Sequence, residues 1–151
     1  MANLTDIKFN FLKSTLIFAL VGLFIPGFTA IGLLGLQMLL SSFGVDCETA
    51  WTVIWSFTIL GAIILPIVFI GHIRIINRDK RKSLKTKLIL FNLFEYIFIQ
   101  AGLATLFTNG HPLCYVGDGQ NGLEFAFTAW LSLPILILLS YIFGKLSRYE
   151  K

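Results

Sequence analysis

Four long apolar runs, separated by short polar segments, dominate the hydrophobic pattern of this chain. They cover Ser14–Ser41, Trp51–Ile73, Leu88–Phe107 and Phe125–Gly144. About 20 apolar residues, rising about 1.5 Å each, cross a bilayer core, so each run is expected to be a transmembrane helix. The first run is longer than that. It is expected to tilt, to kink at Pro26 or to project beyond the bilayer. It is also too long for a signal-peptide core and lacks a small-residue cleavage site, so it is expected to be retained. Short connections make neighbouring helices antiparallel. The pattern therefore predicts an all-α membrane protein with one domain over residues 1–151. Its architecture is an up-down-up-down bundle of four transmembrane helices.

Charge adds an orientation. Lys8 and Lys13 precede the first run. Arg74, Arg78, Lys80, Arg81, Lys82, Lys85 and Lys87 lie between the second and third, and Lys145, Arg148 and Lys151 follow the fourth. The other two connections, Ser42–Ala50 and Thr108–Glu124, hold no Lys or Arg. Basic connections are retained on the cytoplasmic side, so both termini and the Arg74–Lys87 loop are expected there. Trp51, Trp55 and Trp130 fall near the opposite ends of their helices, where interfacial aromatics belong.

Composition narrows the class further. The chain is 56% hydrophobic, with a mean hydropathy of +0.82, more apolar surface than a soluble domain of 151 residues can bury. The net charge of +4 does not indicate nucleic acid, because the basic residues sit against helix ends and meet headgroups there. Gly22, Gly27, Gly32 and Gly35 offer close packing in the first helix, without a GxxxG pair. Pro66 and Pro134 interrupt the second and fourth helices, where a static kink is expected.

The third run carries the sharpest chemistry. At about 100° per residue, Asn92, Glu95, Tyr96 and Gln100 share one face. A carboxyl inside a membrane must face protein or water and find a partner. His72, Tyr141, Lys145 and Arg74 are the candidates at similar depth. The expected role of Glu95 is a hydrogen-bonded clasp between helices, with a proton or cation site as the alternative. Gln37, Thr52, Ser56, Thr128 and Ser132 are placed to continue a polar interior. Cys47 and Cys114, the only cysteines, both fall in connections on the expected outer side, where an oxidising compartment favours a disulfide. Neither has a CxxC context, so a structural staple is expected. No nucleophile–base pair, metal spacing, phosphate loop or dinucleotide fingerprint is present, so the expectation is a non-enzyme with no cofactor and no metal.

The segment Asn92-Leu-Phe-Glu95-Tyr96, just after the basic loop, resembles the Asn-x-x-Glu motif of the membrane-associated glutathione and eicosanoid enzymes. Those proteins carry the motif on the second of four helices, with an Arg one turn earlier. Here it falls on the third, and Leu88 holds the earlier place, so no catalytic role carries over. In layout the chain looks like the immunity proteins against pore-forming bacteriocins, which are small four-helix inner-membrane proteins with cytoplasmic termini. That likeness implies a bacterial inner-membrane location and a membrane-inserting toxin as partner. The functional expectation is thus a non-catalytic protein binding another membrane protein within the lipid bilayer, as in immunity, exclusion or an accessory subunit. The alternatives are a small oligomeric channel or a proton- or cation-linked carrier using Glu95, and then a membrane redox or lipid-modifying enzyme.

Overall fold

The computed structural model describes residues 10–25, 28–75, 81–107, 114 and 120–149. Among these, all regular structure is helical, in five helices: α1 Phe11–Phe24, α2 Phe28–Ser42, α3 Cys47–Ile75, α4 Arg81–Phe107 and α5 Gln120–Tyr149. Three of them, α3, α4 and α5, are long and apolar enough to cross a membrane. The first apolar run is not one straight helix. Its two pieces, α1 and α2, are bent by 72° from each other, and they make a fourth span only if taken as a pair. The residue before a proline is pushed out of the helical region by the ring. Ile25, at φ −126° and ψ 57°, ends α1 for that reason, while Pro26 itself lies outside the described residues.

Local signals set the helix ends. Asn10 caps α1 by accepting the Lys13 N–H at 3.1 Å. After α2, the Val45 N–H reaches the Leu40 carbonyl and the Gly44 N–H reaches that of Ser41. This pair of bonds closes a Schellman turn, and Gly44 takes the left-handed φ of +83° that the turn needs. Asp46 then caps α3, accepting the Thr49 N–H at 2.9 Å and the Thr49 hydroxyl at 2.7 Å. The Ser42–Ala50 loop of the sequence reading is therefore shorter, because the cap starts α3 at Cys47. The Arg74–Lys87 loop shrinks as well: Arg74 lies within α3, and Arg81, Lys82, Lys85 and Lys87 belong to α4. Lys and Arg are good helix formers, so the helix runs on where its apolar face stops. Arg78 and Lys80 lie outside the described residues. Helices α3 and α5 run through Pro66 and Pro134 without a break.

Three apolar clusters hold the bundle. At one end, Phe69 of α3 stacks on Phe91 of α4 with ring centroids 4.6 Å apart, and Phe143 of α5 closes the knot at 5.0 and 5.1 Å from the two. In the middle, Ala19 of α1, Tyr96 and Ile99 of α4, and Leu133 and Leu136 of α5 pack together. At the other end, Leu33 of α2, Trp51 and Ile54 of α3, and Ala101 and Ala104 of α4 form the third. Trp51 is thus buried in the core rather than interfacial, and only Trp130 of the three tryptophans is exposed. The Trp55 indole N–H donates to the Gly102 carbonyl across the α3–α4 seam at 3.3 Å.

Gly61 lets α3 and α4 approach closely. A Cβ there would lie 2.6 Å from two ring carbons of Phe98. At Gly22 a Cβ would meet Leu133 at 3.1 Å, whereas Gly32 and Gly35 face open space. Only Gly22 of the four glycines singled out in the first run therefore serves packing inside the described chain, and Gly27 lies outside it.

The surface completes the picture. Ile17, Leu20, Phe57, Ile63, Ile67 and Leu138 are more than half exposed, while Thr15, Asn92, Gln100, Thr128, Ser132 and Ser140 are fully buried. Polar inside and apolar outside is the distribution that a lipid solvent selects.

Candidate functional site

Helix α4 turns its polar face into the bundle. Asn92 and Gln100 are fully buried, Glu95 is 1% exposed and Tyr96 is 3% exposed. The shared face read from the sequence is therefore an interior one. Its best-made contact is not at Glu95. The Asn92 side-chain amide donates to the Thr15 hydroxyl at 3.0 Å, and that hydroxyl is hydrogen-bonded in turn to Ser140. One node thus joins α1, α4 and α5 through residues 77 and 125 positions apart from Thr15. Thr15 and Ser140 were not singled out in the sequence, since a lone hydroxyl in an apolar run carries no periodic signal.

Glu95 differs from that node. One of its carboxyl oxygens, Oε2, finds no hydrogen-bond partner among the described residues, and neither does the Tyr96 hydroxyl. The candidate partners lie elsewhere. His72 Nε2 is 2.7 Å from Lys87 Nζ at the end of the α3–α4 seam. Lys145 sits over the Tyr141 ring, 4.9 Å from its centroid, and both side chains are exposed, as is Arg74. A buried polar group without a partner costs roughly 1–3 kcal/mol, so such a group asks for a reason beyond stability.

Three of the five residues expected to continue a polar interior toward the other end do so. Gln37, Thr128 and Ser132 are buried, but Thr52 and Ser56 are exposed. Thr52 satisfies its hydroxyl on the Glu48 carbonyl one turn back, and Ser132 does the same on Ala129. Such back-bonding lets a hydroxyl face lipid or core without an interhelical partner.

Cys47 and Cys114 are joined in a disulfide with Cα atoms 5.8 Å apart, tying the first turn of α3 to the segment before α5. One residue earlier, the Asp46 carboxyl is held below its ordinary range, first by the Thr49 N–H and then by the Thr49 hydroxyl. Cap and staple thus fix the same helix start. Among the described residues, no three His, Cys, Asp or Glu side chains are grouped to hold a metal ion.

Two concave features stand out among the described residues. The larger is an apolar groove of about 350 Å³ between α2, α3 and α4, lined by Thr29, Gly32, Leu36, Val53, Phe57 and Phe98 among others. Thr29 is 1% exposed, and its hydroxyl has no hydrogen-bond partner among the described residues. The smaller, of about 270 Å³, runs along the α3–α4 seam and ends at His72 and Lys87. Comparison with known proteins offers no template for either: no protein family, no characterised protein and no solved structure matches this chain.

Proposed function

We propose that this chain is a non-catalytic integral membrane protein that acts by binding another membrane protein or a membrane-inserting toxin inside the bilayer. In this reading α1 and α2 together form the first of four antiparallel spans. Both termini and the basic segment lie on the cytoplasmic face of a bacterial inner membrane, as the distribution of Lys and Arg suggests. The observation that carries the reading is the groove between α2, α3 and α4. It is apolar, it is flanked by Gly32 with open space beyond its Cα, and it holds the unpartnered Thr29 hydroxyl. Helices associate in lipid by close packing at small residues, and Gly32 offers such a surface to an incoming helix.

The test is a challenge of cells producing the chain with a panel of pore-forming bacteriocins, scored by survival and potassium efflux. Protection is expected, and Gly32→Leu, which fills the groove mouth without touching the core, is expected to abolish it at unchanged membrane level. The buried Glu95 oxygen without a partner favours one second reading, a proton- or cation-linked carrier assembled from several copies. Purified protein in liposomes separates the two. Ion flux that vanishes in Glu95→Gln, with no protection in the challenge, would sink the binding reading.

A further inference from the structure

The seam groove at the basic end of α3 and α4 has the anatomy of a site for an amphiphile. Its walls are Leu65 and Val68 on α3 and Leu90 and Phe94 on α4, and its polar end is His72 and Lys87. Val68 is 60% exposed, Leu90 48% and Phe94 48%, so the trough opens toward the surrounding lipid. From Lys87 to Phe94 is about two turns, or roughly 10 Å of trough below the charged end.

The charged end is incompletely matched. An ammonium has three donors. Lys87 uses one on His72 Nε2 at 2.7 Å, and its ammonium makes no ion pair among the described residues. Glu95, the acid on the same helix, sits eight residues deeper on the buried face, while Asp46 and Glu48 lie at the opposite end of α3 and Glu124 lies near the start of α5. The Lys87 ammonium, beside His72, therefore ends an apolar trough with no anion supplied among the described side chains. Lys85 is exposed and lies outside the groove.

The geometry points to a specific binding site for one anionic phospholipid, with its phosphate on Lys87 and His72 and an acyl chain along Leu65, Val68, Leu90 and Phe94. Basic pockets between transmembrane helices at the headgroup level hold lipid phosphates in this manner, and the trough gives the chain a fixed seat. A zwitterionic lipid carries its own cation and gains less there. A free phosphate lacks the acyl chain and leaves the trough unfilled.

Native mass spectrometry of the full chain in detergent, titrated with phosphatidylglycerol or with phosphatidylcholine of the same chain length, tests the site. One retained phosphatidylglycerol per protein is expected, with phosphatidylcholine retained less. Lys87→Gln is expected to weaken retention about fivefold, the worth of one cation at an anionic surface. Lys85→Gln removes the same charge two residues away, outside the groove, and is expected to leave retention unchanged. Val68→Trp keeps every charge but fills the trough, and is expected to lose the lipid as well. This second arm decides the matter if the Lys87 variant fails to fold. Equal retention of the two lipids would overturn the proposal. So would equal losses in Lys85→Gln and Lys87→Gln, full retention in Val68→Trp, or displacement of the lipid by inorganic phosphate.

Discussion

Thr15→Val is the substitution that tests the bundle most directly. Valine matches threonine in shape, so it opens no cavity and removes only the hydroxyl. That hydroxyl accepts the Asn92 amide at 3.0 Å and is bonded to Ser140, and all three residues are fully buried. Deleting it therefore strands an amide donor on α4 and a hydroxyl on α5. Interhelical hydrogen bonds in membranes average about 0.6 kcal/mol and reach about 1.7. Two bonds lost from one node, with no water to replace them, put the expected loss at about 1–3 kcal/mol. The assay is reversible unfolding in mixed micelles, followed by far-ultraviolet circular dichroism. A second arm sharpens it: the triple variant Thr15→Val, Asn92→Leu, Ser140→Ala removes the stranded partners too and should recover part of the loss. The Thr15–Asn92 pair should also show a coupling of about 0.5 kcal/mol or more in a double-mutant cycle. If Thr15→Val unfolds within about 0.3 kcal/mol of the parent and the triple variant is worse, the node does not hold the bundle together.

Other perturbations follow from single features. Gly61→Ala forces a Cβ to within 2.6 Å of the Phe98 ring and should cost about 1–3 kcal/mol, whereas Gly32→Ala, facing open space, should be within about 0.5 kcal/mol of the parent; equal effects would refute the close α3–α4 approach. Cys47→Ser should lower thermal stability and shift mobility on a non-reducing gel, with about 4 kcal/mol as the upper bound from chain entropy for a closed loop of this length; unchanged melting would mean that the staple is not formed. The Asp46 carboxyl is held below its ordinary range by Thr49, so its contribution is fully present above about pH 4 and is lost as pH falls through the lower folded value. Asp46→Asn keeps a capping oxygen but does not titrate. The stability difference between parent and variant should therefore shrink on acidification below pH 4, and a difference that grew would reverse the assigned sign.

The sequence already showed the helical class, the buried face of α4 and the cysteine pair, and each for a physical reason. A run of apolar residues long enough for a bilayer has few other uses. A helix places Asn92, Glu95, Tyr96 and Gln100 on one side by geometry alone, and a polar side inside an apolar run must be buried. Two cysteines allow one pairing. The misreadings share a cause too. Apolar patterning reports where a helix meets lipid or core, not where its backbone stops hydrogen-bonding. So α3 starts early on its Asp46 cap, α4 starts early through Arg81 and Lys82, and α5 extends from Gln120 to Tyr149 beyond the Phe125–Gly144 run. The break after Ile25 was one of three outcomes open to a long first run. Partners were the least legible feature. Depth along the chain suggested His72 for Glu95, but depth does not fix azimuth, and the His72 ring meets Lys87 instead.

The placement of polar groups separates what folds this protein from what it is for. In lipid, apolar surface gains little by choosing a neighbouring helix over an acyl chain, so the few polar contacts and close approaches decide which helices pair. The Thr15–Asn92–Ser140 node, the Trp55 bond to Gly102 and the Gly61 seam do that for α1, α3, α4 and α5. By the same reasoning, a polar group that is buried and joins nothing weakens the bundle that contains it. The Thr29 hydroxyl at the α2 groove, one carboxyl oxygen of Glu95 and the Tyr96 hydroxyl in the interior have no hydrogen-bond partner among the described residues. Substituting them with apolar residues of similar size should therefore leave the fold at least as stable, and a loss of function in such a variant would be a loss of recognition or transport rather than of structure. That divergence between stability and activity is the property by which a working site in this bundle can be told from a structural one.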